Sequence, residues 1–147
     1  MKGSCFCGSV TYALSQPPVL AAYCHCTLCQ RLTGCPFVHT VHFEHDAFRW
    51  THSEPHDAAL DSFSLPIKPW KTRWRCKTCG VCVAGHNTKT GRWSVWGGTF
   101  ERDEEGKIES WDSIKPTTHI FYGTRTLDVD DELGKWEGYA DKSNRLG

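Results

Sequence analysis

The chain has 147 residues, of which 39% are hydrophobic and 23% charged, and its formal net charge at pH 7 is zero. That length provides about one domain, residues 1–147, with a modest core. Charges of both signs are mixed along the chain, which leaves no electrostatic footprint for nucleic acid or an anionic membrane. The expected partners are small molecules or another protein.

In chain order, the amino-terminal MKGSCFCGSVTY has no apolar leader, and no segment approaches the roughly 18 apolar residues of a membrane span. A cytoplasmic protein is expected. GSVTYAL (residues 8–14) alternates like a strand and stops at the turn signal SQPP. CTLCQRLTG (residues 26–34) predicts a short helix closed by Gly34. PFVHTVHF (residues 36–43) places Phe37, His39, Val41 and Phe43 on one face, and Val38, Thr40 and His42 on the other. The stretch from His52 to Trp70 has the weakest pattern and predicts loop with one buried strand. VCVAG (81–85), RWSVWGGTF (92–100) and THIFYGT (118–124) are short and rich in aromatic or β-branched residues, as strands are. ERDEEGK (101–107) predicts a solvated turn, and DVDDELGKW (128–136) a second helical turn. The whole is mainly β.

Nine cysteines are many for this length, and the number is odd. A secreted disulfide framework usually has an even count behind a signal peptide; here thiols in clusters point to metal ligands or catalytic groups. Cys5-Phe-Cys7-Gly and Cys76-Lys-Thr-Cys79-Gly have the form of zinc knuckles, in which Gly lets the backbone turn tightly enough for both sulfurs to reach one ion at about 2.3 Å. Together Cys5, Cys7, Cys76 and Cys79 make a closed four-thiolate site that ties the first strand to the middle of the chain. Such a metal contributes directly to folding. Cys24-His-Cys26-Thr-Leu-Cys29 leaves three thiols without a matching fourth. Catalytic zinc has three protein ligands and one exchangeable position. The competing arrangement is a second structural site closed by His25, His39, His42, Cys35 or Cys82. His25, between two ligands, is expected to point its ring away from an ion that both neighbours bind. Cys82 lies in an apolar strand and reads as core.

GSCFCGSVTY, CHCTLCQRLTG, RWRCKTCG, KPTTHIF (115–121) and the late Trp136 follow one another in an order that resembles the glutathione-dependent formaldehyde-activating enzyme family, which includes centromere protein V. The resemblance spans nearly the whole chain. It implies a single-domain β-tent fold of short antiparallel sheets pinned by zinc, with one or two short helical turns. Methionine-sulfoxide reductase B and a small-GTPase-binding zinc chaperone share that fold. By position, Cys5, Cys7, Cys76 and Cys79 match the family's structural zinc ligands, and Cys24, Cys26 and Cys29 match its catalytic-type site. Two zinc ions are therefore expected, with glutathione as co-substrate. The chain departs from the family pattern at FSLPIKPWKTRWR (63–75), where many members have a Ser/Gly-rich run, and in the extra thiols Cys35 and Cys82.

The implied activity is carbon–sulfur bond formation, the addition of the glutathione thiol to formaldehyde or a related electrophile to give S-hydroxymethylglutathione. The expected partners are thus a small-molecule thiol and an electrophile, with no nucleic acid and no membrane. His25 and His39 are candidate proton carriers. Arg31, Arg73 and Arg75 are candidates for glutathione carboxylates, and Trp70, Trp74, Trp93 and Trp96 for a groove. A different class of function also fits: a zinc module that binds a thiol or protein without turnover. A third is redox chemistry at Cys35 or Cys82, which requires an exposed thiol of low pKa.

Overall fold

In the computed structural model, which describes residues 1–147, short strands separated by tight turns account for most of the regular structure. The architecture is mainly β, with few, short helices. The chain divides into two compact units, one of residues 1–20 and 41–114, the other of residues 21–40 and 115–147.

In the first unit, β1 (Lys2–Ser4), β2 (Thr11–Leu14) and β5 (Phe48–Trp50) form an antiparallel sheet in the order β1-β2-β5. Cys5 and Cys7 leave the end of β1, and Gly8, at φ 80°, turns the chain back into β2. The left-handed φ at this position suits glycine because no Cβ meets the backbone. Tyr12 is buried beneath Gly3, and its hydroxyl lies 2.8 Å from Thr99 Oγ1.

The same unit holds an antiparallel run of β6 (Leu60–Leu65), β7 (Lys68–Cys76), β8 (Cys82–Asn87) and β9 (Trp93–Trp96), each pairing with the next. The stretch from His52 to Trp70, expected to be loop with one buried strand, holds the strand β6, which is exposed along its middle, and the start of β7, with which it forms a hairpin across Pro66 and Ile67. In β6 only the terminal Leu60 and Leu65 are buried, and the four residues between them are exposed. A strand with no alternating apolar face has no periodic signal; its pairing with β7 is what makes it a strand. Val83, Ala84 and Val95 are buried, and Trp93 stacks between Phe48 at 4.2 Å and His86 at 4.4 Å. A short helix occupies Trp111–Ile114, where none was expected.

β4 (Val38–Phe43) has Val38, Thr40, Val41 and Phe43 buried. The inside–outside alternation therefore changes phase between Thr40 and Val41, and the simple two-face assignment of this run does not hold.

In the second unit, β3 (Leu20–Cys24) pairs parallel with β10 (Thr118–Ile120), which pairs parallel with β11 (Gly134–Lys135). The register sets His119 opposite Tyr23 and Ile120 opposite Cys24. The helix expected at residues 26–34 is present at Thr27–Thr33, with Cys26 as its amino-terminal cap and Gly34, at φ 72°, as its carboxyl cap. The helical turn expected at 128–136 is absent; the carboxyl end of that stretch is β11. No helix in the chain is long and apolar enough to cross a membrane.

Candidate metal centres

The four-cysteine group is assembled from two turns. Cys5 and Cys7 sit on the turn after β1, and Cys76 and Cys79 on the turn after β7, where Gly80 takes φ 74°. All four sulfurs lie within 4.8 Å of one another. Cys5 Sγ is 3.6 Å from Cys7 Sγ, and Cys7 Sγ is 3.7 Å from Cys76 Sγ. A tetrahedron with metal–sulfur bonds of about 2.3 Å has edges of about 3.8 Å. The spacing of these sulfurs fits that polyhedron. Backbone N–H groups point at the sulfurs as well: Val10 N–H donates to Cys5 Sγ and Thr78 N–H to Cys76 Sγ, each at 3.3 Å. Burial pushes the Cys5 thiol up to about 11, while the Ser9 hydroxyl and backbone draw the exposed Cys7 down to about 6. Four thiols so close cannot all ionise unaided, whereas a dication among them would let every one bind as thiolate.

The second group is built on β3 and the helix that follows it. Cys24 ends β3 and is buried, Cys26 caps the helix, and Cys29 is in its first turn. Cys29 N–H donates to Cys26 Sγ at 3.3 Å, so the sulfur takes the place of the usual capping oxygen. The three sulfurs lie within 4.8 Å of one another, and the group holds these three cysteines alone. None of the sequence's possible closing residues, His25, His39, His42, Cys35 or Cys82, belongs to it. Crowding separates the thiols in acidity. The neighbouring Cys26 and Cys29 sulfurs, followed by burial, push Cys24 far above the ordinary thiol range; hydrogen bonds from Cys24 and Cys29 hold Cys26 at about 2. Three soft sulfur donors at this spacing are a fit for zinc.

His25 lies between two of these cysteines, and its ring turns to other partners. It is fully buried, with Nε2 2.8 Å from Nδ1 of the equally buried His119. His119 Nε2 is in turn 2.9 Å from Asp131 Oδ2. Phe37 and Tyr122 flank the His25 ring at 4.8 and 4.9 Å. Burial, then the charges of His119 and Arg125, lower the His25 pKa to about 4.

The family model for "Glutathione-dependent formaldehyde-activating enzyme" matches residues 1–124. This chain belongs to that family. Among solved structures it is similar to a Rhodobacter sphaeroides protein determined in a structural genomics programme, at 21% identity and a TM-score of 0.53. That match covers 71% of this chain and 93% of the other. At that identity the likeness shows the fold. No curated protein matches the chain. As a family member, the chain has two cysteine groups able to hold metal, one of four sulfurs and one of three.

The remaining candidates scatter. Cys82 is half-buried and its thiol is pushed up to about 11 by burial, the opposite of what a redox nucleophile requires. Cys35 is exposed beyond the helix cap. Arg73 lies over Trp96 at 5.8 Å from the ring centroid, Lys89 covers Trp70 at 3.4 Å, and Trp93 is inside an aromatic stack, so these tryptophans serve separate contacts. Arg31 is in the last turn of its helix, and Arg75 is exposed. His39 packs edge-on against Tyr23 at 5.8 Å. The sequence reading did not pick out His119 or Asp131. His119 stood in the quoted KPTTHIF, but its partner His25 is 94 positions away and no local spacing relates the two.

Proposed function

We propose that this protein is a carbon–sulfur lyase or synthase acting on glutathione adducts, with Cys24, Cys26 and Cys29 as the reaction centre. The reaction joins a thiol sulfur to the carbonyl carbon of formaldehyde or a related aldehyde, and the thiol proton passes to what was the carbonyl oxygen. No oxidant is consumed, and the reverse step releases the aldehyde. The observation that carries this reading is the group of three sulfurs in a chain whose family is named for formaldehyde activation.

The roles divide between the two groups. Cys5, Cys7, Cys76 and Cys79 would hold a structural zinc, joining the turn after β1 to the turn after β7. Cys24, Cys26 and Cys29 would hold a second zinc, which when bound would supply the positive charge that keeps an incoming thiol ionised near neutral pH. Most free thiol is protonated there, and only the thiolate attacks carbon. β3 and the helix cap fix the three sulfurs beforehand, so the binding of the thiol does not have to assemble the site. His25 is committed to His119 rather than to the cysteine group, so the three sulfurs are the protein donors that would hold the ion.

The test is the exchange of 13C-formaldehyde with its glutathione adduct, followed by NMR against the spontaneous rate. Wild-type protein is expected to accelerate exchange, Cys26→Ser to reduce it to background while remaining folded, and Cys79→Ser to lose the fold. Wild-type protein that binds thiol without accelerating exchange would instead be a binding module. Equal exchange by Cys26→Ser and wild type would remove these cysteines from the chemistry.

A further inference from the structure

His25 is held at more points than a packing residue needs. Its N–H donates to the Ile120 carbonyl at 3.0 Å, and its own carbonyl accepts from Gln30 Nε2 at 2.6 Å and from Thr124 Oγ1 at 3.0 Å. Nε2 is paired with His119, which is paired with Asp131, which accepts from Lys135 Nζ at 3.0 Å and from Leu133 N–H at 3.2 Å. Both imidazoles are sealed from solvent, whereas the side chain of Asp131 is 30% exposed. For the neutral tautomers of the two rings, the carboxylate sets the order of the chain. Asp131 only accepts, so His119 Nε2 carries the proton, His119 Nδ1 accepts, and His25 Nε2–H donates. His25 Nδ1 is then without a proton, and it is buried with no hydrogen-bond partner. Although burial pushes the other way, His119 and Lys135 hold the Asp131 carboxyl down at about 2, which keeps it an acceptor.

This arrangement acts on the backbone between Cys24 and Cys26. The separation of those two sulfurs depends on where the one residue between them is pinned, and most of its pins come from the carboxyl-terminal segment. We infer that Asp131, acting through His119 and His25, is a positioning residue for the three-sulfur centre, fixing the Cys24–Cys26 geometry without touching the metal. Groups that orient ligands from outside the coordination shell typically change metal affinity by 10- to 100-fold when removed. Asp131 lies beyond residues 1–124, the part of the chain that the family model covers. The inference rests on the reading of Cys24, Cys26 and Cys29 as a metal centre.

The experiment uses the full chain loaded with 113Cd, which should give one NMR resonance for each sulfur group, and reads each affinity by competition with a chelator. For Asp131→Leu, the three-sulfur resonance is expected to shift and its affinity to fall about tenfold, while the four-sulfur resonance keeps its position and its affinity. An unchanged three-sulfur resonance and affinity would overturn the inference. So would equal weakening at both groups, because it would mark Asp131 as a general stability contact. A single resonance in the wild type would refute the metal-centre reading itself, and this inference with it.

Discussion

Two histidines show how much a single residue's surroundings matter. His25 lies between metal-ligand candidates, and the sequence expectation that its ring points elsewhere agrees with its bond to His119. That expectation needed only local geometry, since ligands on both neighbours leave little room for the residue between them. What the ring does instead depends on Asp131 and His119, which only the tertiary fold brings near. His42, on β4, is lowered to about 4 by burial and then by the charges of Lys71, Arg73 and Arg92. Its folded-state pKa lies below its ordinary value, so above pH 6.5 the ring is neutral in both states and has no effect on the pH dependence. Between pH 6.5 and 4 the unfolded chain takes up a proton that the folded one resists, and stability falls as the solution is acidified. His42→Gln should therefore lose less stability than wild type between pH 7 and 4.5, as read from urea midpoints. Acid loss of metal affects both proteins alike, and parallel curves would show that His42 contributes nothing to the slope.

At the scale of elements, legibility followed chemistry more than pattern. The helix at Thr27–Thr33 was readable because Gly34 marks its carboxyl end, whereas the Cys26 cap at its amino end emerges only in the structure. The β6–β7 hairpin was not, because β6 is polar along its middle and is made a strand by its partner. The parallel pairings of β10 with β3 and β11 are equally silent in the sequence, since a three-residue strand carries almost no periodic signal. Close approach of elements leaves a firmer mark in glycine. A Cβ on Gly3 of β1 would come within 2.2 Å of the Tyr12 hydroxyl and 2.5 Å of the Thr99 carbonyl oxygen. Tyr12 is buried against Phe48 and Phe100 and cannot move aside without disturbing both rings. Gly3→Ala should thus cost about 1–3 kcal/mol, the usual range for overpacking a filled site. Chemical denaturation of metal-loaded protein would measure it, and an unchanged midpoint would mean that the β1–β2 packing is looser than these distances imply.

For the whole molecule, the cysteines carried the sequence reading because metal ligation leaves signatures that survive without knowledge of the fold. Two short spacings, each followed by a glycine, identified the four-sulfur group, although its halves are 69 positions apart at Cys7 and Cys76. The three-sulfur group was legible in its members for the same reason. Its surroundings were not, because the histidine pair and the carboxylate behind it come from segments with no shared spacing. The functional reading depends on the difference between the two groups: one supplies every ligand a tetrahedral ion needs, and the other stops at three. The most direct test is a crystal structure of zinc-loaded protein with anomalous data at the zinc edge. The expected result is two ions per chain, one bound by Cys5, Cys7, Cys76 and Cys79, the other by Cys24, Cys26 and Cys29 with water or an added thiol in the fourth place. A fourth protein atom on the second ion, or no ion there at all, would contradict the proposed chemistry.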